Sequence, residues 1–183
     1  MALVAWFVLR PAGEERVTAD LIAQFDAASE KRPNPDVFSL VDATLGGETR
    51  KAILVRDPSA STDGSVGVAG SRLVYDVTVP EDGELRFSIG LLESEWTTDG
   101  DGVLFRVLVG ATGPPEEFIN VVLDPYHKPG DRGWLPLTVD LSEYSGETVK
   151  LFFNTNASPP ARPPRDDRNG DAALWADLRI VAR

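Results

Sequence analysis

The chain has 183 residues, 42% hydrophobic and 26% charged, with a net charge of −11, enough length and apolar content for a core of its own. The acidic balance repels phosphate backbones and anionic headgroups, which argues against a nucleic-acid binder or a module lying flat on anionic lipid. With no cysteine, disulfides, thiol catalysis and zinc–cysteine sites are excluded.

The first element is the continuous apolar run Ala2–Leu9, closed by Arg10 and Pro11. A membrane-spanning helix needs roughly 20 apolar residues, so this run alone is too short. It reads either as the end of a longer anchor or as a buried N-terminal strand. Leu3, Val4, Trp6, Phe7 and Val8 are the candidate contacts to a membrane or to membrane protein subunits. Residues 1–13 are therefore set apart as an anchor-like segment.

Residues 14–32 are predicted to form a helix or helical spacer. Val17, Leu21, Ile22 and Phe25 recur at helical spacing. Glu14 and Glu15 lie in the predicted first turn, where they favour the helix dipole, and Pro33 and Pro35 follow the end.

From residue 36 to 183 the pattern is β. Short apolar runs with alternation, separated by Gly, Pro, Asp and Asn, predict strands near 37–45, 49–56, 71–79, 84–92, 102–110, 117–124, 134–141, 147–155 and 173–181. Leu85, Phe87 and Ile89 should face one way, Arg86 and Ser88 the other. Gly46-Gly47 marks a hairpin turn. Residues 57–70 and 157–171 read as long polar loops. The fold class is all-β: a jelly-roll type, two-sheet antiparallel sandwich preceded by one α-helix and an apolar N-terminal segment.

The stretches Asp99-Gly-Asp-Gly-Val-Leu-Phe-Arg-Val107, Asp131-Arg-Gly-Trp134, Val139-Asp-Leu-Ser-Glu-Tyr-Ser-Gly-Glu-Thr-Val149 and Ala173-Leu-Trp-Ala-Asp-Leu-Arg-Ile180 carry a resemblance. From about residue 71 onward the chain resembles galactose-binding-like, carbohydrate-binding-module-like jelly-roll domains, most of all those of bacterial membrane-anchored surface proteins. The resemblance implies a non-catalytic, extracytoplasmic and membrane-associated module, periplasmic or on the cell surface. Such a module binds glycan or serves as a docking surface. Some members of that fold carry a structural calcium ion.

Candidate site residues follow from side-chain chemistry. Sugar sites stack rings on exposed aromatics and add hydrogen bonds from Arg, Asn and Asp. Trp96, Tyr126, Arg132 and Asn154 are the candidate glycan contacts, while Trp134 and Trp175 read as core. Asp99, Asp101, Asp166, Asp167, Asn169 and Asp171 offer oxygens of the kind calcium takes. The same residues are also the ordinary makers of turns. His127 stands alone, with no nucleophile-elbow pattern to serve; neither a P-loop nor a dinucleotide fingerprint is present. No enzymatic activity is therefore expected. Arg50, Lys51, Arg162, Arg165 and Arg168 are basic points on an acidic background, and the proline-bounded loop around the last three is a candidate docking segment. Two roles remain open: glycan binding through a loop edge, and an accessory structural subunit of a membrane protein complex.

Overall fold

The computed structural model describes residues 15–56, 70–156 and 171–183. The apolar run with Leu3, Val4, Trp6, Phe7 and Val8 lies outside the described residues, as do Asp166, Asp167 and Asn169. Among the described residues, no helix is long and apolar enough to cross a membrane.

Among the described residues, eleven strands form two antiparallel sheets. In chain order they are β1 (Arg16–Asp20), β2 (Glu30–Arg32), β3 (Phe38–Leu45), β4 (Glu48–Val55), β5 (Ser71–Thr78), β6 (Gly83–Leu91), β7 (Val103–Gly110), β8 (Glu116–Leu123), β9 (Leu135–Asp140), β10 (Thr148–Asn156) and β11 (Ala173–Ala182). The first sheet runs β3-β4-β11-β6-β9, with β1 also paired to β11; the second runs β2-β5-β10-β7-β8. The nine strands expected between residues 37 and 181 are all present, with ends shifted by no more than a residue or two. Gly46 and Gly47, both at positive φ (59° and 86°), turn β3 into β4, the backbone twist a two-residue hairpin prefers.

The predicted helix is the correction. Arg16–Asp20 is a strand, a single 3₁₀ turn covers Phe25–Ala27, and Glu30–Arg32 is a second short strand. The cause lies in β11. β4 pairs only with Ala173–Ala176, so the same edge of β11 is open beyond that point, and β1 takes it: Arg16 opposes Ala182 and Asp20 opposes Arg179. Backbone groups in this position need partners, and the pairing overrides a helical spacing of apolar residues. The chain then turns at Asp20, whose carboxylate accepts the Ala23 N–H at 3.0 Å. It drops Leu21 and Ile22 into the core and lays β2 against β5 of the other sheet. Residues 16–32 thus belong to both sheets and are not a spacer ahead of them.

The core fills the space between the sheets. Leu85, Phe87 and Ile89 of β6 point into it, as the alternation predicts. Trp175 of β11 is 1% exposed; its ring lies 5.1 Å from Phe105, 5.3 Å from Phe153 and 5.7 Å from Phe87. Tilted and edge-on contacts of this kind suit the aromatic quadrupole. A smaller apolar cluster covers one end of the first sheet's outer face, where Ala43, Leu45, Leu54 and Leu174 lie under Trp96 and Trp134.

Candidate functional site

Among the described residues, two places are candidates to receive a ligand: the loop end near Tyr126, and the outer face of the first sheet. Three of the four candidate glycan contacts meet at the loop end. The Arg132 guanidinium donates to the Pro125 carbonyl (3.0 Å) and to the Trp96 carbonyl (3.3 Å). Tyr126 is 41% exposed and stands edge-on to His127 at 4.8 Å. Trp96 is no open platform: it lies half-buried on the small apolar cluster, and its indole N–H donates to the Leu91 carbonyl at 3.0 Å. Asp124 accepts the His127 backbone N–H and contacts Nδ1 of its ring at 3.1 Å, while Asp131 accepts the Asp124 N–H at 2.9 Å. The donors and acceptors here hold the loops to one another. The cavity between Thr98, Gly102 and Tyr126 is about 10 Å³, room for no more than one water molecule.

Asn154 lies elsewhere. It is 7% exposed, on the outer face of the second sheet, and accepts from Arg72 Nε at 3.1 Å. The Arg72 guanidinium stands 5.5 Å from the centre of the Phe152 ring.

Of the candidate calcium ligands, Asp99, Asp101 and Asp171 are among the described residues. Asp99 is exposed and reaches only His127 Nε2, at 3.9 Å. Gly102 takes φ +84°, and a Cβ there would meet the Leu123 carbonyl at 2.6 Å; the Asp99–Gly102 segment is thus shaped as a tight entry to β7. Asp101 is half-buried and Asp171 buried at the start of β11. Among the described residues, no three His, Asp or Glu side chains gather at one point.

The larger concavity lies on the outer face of the first sheet, a groove of about 830 Å³ crossed by β4, β6, β9 and β11. At the groove β11 carries an irregularity between Ala176 and Arg179, with Asp177 at φ 54°. Such a bulge kinks the strand and re-aims a side chain. Asp177 is aimed at Arg50: its Oδ2 accepts from Nη1 at 2.6 Å, and the same Nη1 donates to Ser88 Oγ at 2.6 Å. Glu48 accepts from Arg50 Nε at 2.9 Å, and the Trp134 ring lies 5.4 Å from the guanidinium carbon. One guanidinium therefore ties β4, β6 and β11 together on the groove floor. Arg86 is bound by Glu84 and, at 2.5 Å, by Glu15; these hydrogen bonds, Glu84 first, push its pKa further above the usual arginine value. Thr138 of β9 and Arg179 of β11 complete the floor.

Of these residues, sequence reading singled out Arg50 as a basic point and placed Arg86 and Ser88 on an outward face. It had no signal for Asp177, Arg179 or Thr138, because strand register brings them together.

No protein-family profile matches the chain. An uncharacterised protein of Archaeoglobus fulgidus is 33% identical over 131 residues, 71% of this chain; the chain spans only 30% of that relative's length. Among solved structures, the carbohydrate-binding module TmCBM61 in complex with β-1,4-galactotriose aligns over 93% of this chain and 90% of its own, with TM-score 0.51 and 11% identity. The N-terminal CBM22 tandem of Xyn10C from Paenibacillus barcinonensis aligns over 98% of this chain and 52% of its own, with TM-score 0.53 and 13% identity. The chain shares the two-sheet jelly-roll fold of these modules. In this jelly roll the groove occupies the outer face of the sheet that carries the last strand.

Proposed function

We propose that the chain is a non-catalytic glycan-binding module and that its sugar site is the groove on the first sheet. The observation that carries this reading is the Arg50 network: Glu48, Ser88 and Asp177 fix one guanidinium on the floor of an open groove. Saccharides present many hydroxyls, and a rigid set of charged donors and acceptors recognises them without ordering cost at the moment of binding. At about 830 Å³ the groove is in the range of small-ligand sites. Two jelly rolls of the same shape are carbohydrate-binding modules, one of them holding a galactotriose. An extracytoplasmic setting goes with this role, because polymeric glycans are displayed at and beyond cell surfaces.

The test is a glycan array followed by calorimetry on wild type, Thr138→Val and Tyr126→Ala, with melting curves to establish folding. Groove binding predicts that Thr138→Val weakens affinity, by about 1–3 kcal/mol if it is a hot spot, and that Tyr126→Ala leaves it unchanged. The opposite pattern would move the site to the loop end. A wild-type protein that binds no saccharide would remove the glycan reading and leave the accessory-subunit role.

A further inference from the structure

We infer that the groove is built for acidic saccharides and that Arg179, with Arg86 opposite it, receives a uronate carboxylate. This rests on the reading of the groove as the sugar site.

Arg179 and Arg86 are direct partners in the β11–β6 ladder. Like charges directly opposite in a sheet oppose pairing, so the arrangement calls for a compensating anion. Arg86 has two, Glu84 and Glu15. Arg179 is exposed, and among the described residues it makes no ion pair. Its neighbour on the other side, Asp20 of β1, stands in register with it but gives its carboxylate to the turn at Ala23. An arginine without an ion pair beside a second arginine is a place where an external carboxylate gains.

The groove is also less acidic than the chain. Its lining holds Arg50, Lys51, Arg86 and Arg179 against Glu48 and Asp177, with Glu84 and Glu15 beside it on Arg86. The whole sequence has 18 Lys and Arg against 29 Asp and Glu. Cations without a carboxylate partner in a concave surface concentrate anionic ligands even when the net charge of the chain is negative. The planar guanidinium fork matches a carboxylate in two parallel hydrogen bonds. Ser88 and Thr138 beside it supply neutral partners for ring hydroxyls. A saccharide bearing carboxylates along a hydroxyl-rich backbone fits both features.

The experiment compares one polymer in two charge states: de-esterified polygalacturonate oligomers and their methyl esters, with free sulfate as a third arm. Wild type should bind the acid form at least about tenfold more tightly, the effect of one charge-assisted hydrogen bond. The preference should fall with added salt. Arg179→Gln should abolish the preference while its melting curve stays as in wild type. A preference for the acid form cannot come from the net charge, which repels it, so it reports the groove. Equal wild-type affinity for the two forms would overturn the inference and leave the glycan reading standing. Failure to bind either form or any neutral saccharide would overturn both. A preference unchanged by Arg179→Gln would overturn the assignment to this arginine pair, and competition by free sulfate as strong as by free galacturonate would overturn the choice of a carboxylate.

Discussion

Trp175 of β11 donates its indole N–H to the Thr155 hydroxyl of β10 at 3.0 Å, across the interior and from one sheet to the other. Both residues are essentially without solvent contact, so neither group has water to fall back on. Thr155→Val keeps the shape and strands the indole N–H, which should cost about 1–3 kcal/mol. Trp175→Ala removes the ring that Phe87, Phe105 and Phe153 surround, at about 3–5 kcal/mol. Urea unfolding of both variants checks this. A Thr155→Val protein as stable as wild type would mean that the bond adds nothing to the apolar contact.

The strand at residues 16–20 separates two side chains that a helix would place together. Val17 and Leu21 lie four apart, one face of a helix, yet Val17 is 48% exposed and Leu21 fully buried. Leu21→Ala should lower stability by about 2–5 kcal/mol, whereas Val17→Asp should stay within about 0.5 kcal/mol of wild type, as exposed substitutions do. Thermal melts of the two variants decide it; equal losses would restore the amphipathic helix.

This segment also shows where the sequence stops being legible. Nine strands were readable because alternation such as Leu85-Arg86-Phe87-Ser88-Ile89 is a local signal, written within each strand. Residues 16–32 were not, because their form depends on distant partners: β1 on an open edge more than 150 positions later, at Arg179–Ala182, and β2 on β5. The site divides in the same way. Trp96, Tyr126 and Arg132 were picked out by residue type, and the structure brings them to one end. However, residue type does not say that the Trp96 indole turns inward or that Arg132 serves backbone carbonyls. The groove draws on β4, β6, β9 and β11, and only register sets Arg179 opposite Arg86.

Acid sensitivity should be visible on the second sheet. The Arg106 guanidinium of β7 donates to Glu117 of β8 at 2.5 Å and holds its carboxyl below the usual glutamate value. A carboxyl whose pKa is depressed by folding stabilises the fold above its unfolded value. That contribution fades as pH drops below 4.5 and is gone once pH falls through the lower folded value. Both side chains are 32% exposed, so the pair is worth at most about 1 kcal/mol. Glu117→Gln should therefore be slightly less stable than wild type at neutral pH and equal to it in strong acid. Urea midpoints at the two pH values test this; a gap that persists in acid would trace the effect to packing and not to charge.

Asp177 takes part in the groove floor through its backbone as well as through its charge. At φ 54° it is in the left-handed region, which Asn and Asp tolerate and β-branched residues do not. Here β11 leaves β4 and passes to β1, so the kink cannot be straightened without breaking one of the two pairings. Asp177→Asn keeps the backbone preference and a neutral acceptor for Arg50, and should cost less than about 1 kcal/mol. Asp177→Val should cost about 1–2 kcal/mol more, from the left-handed conformation alone, and should also free the Arg50 guanidinium from one of its anchors. Chemical denaturation of the two variants gives the comparison. If Val were tolerated as well as Asn, the bulge would have relaxed into regular strand, and the groove floor would have to be set by Glu48 and Ser88 without it.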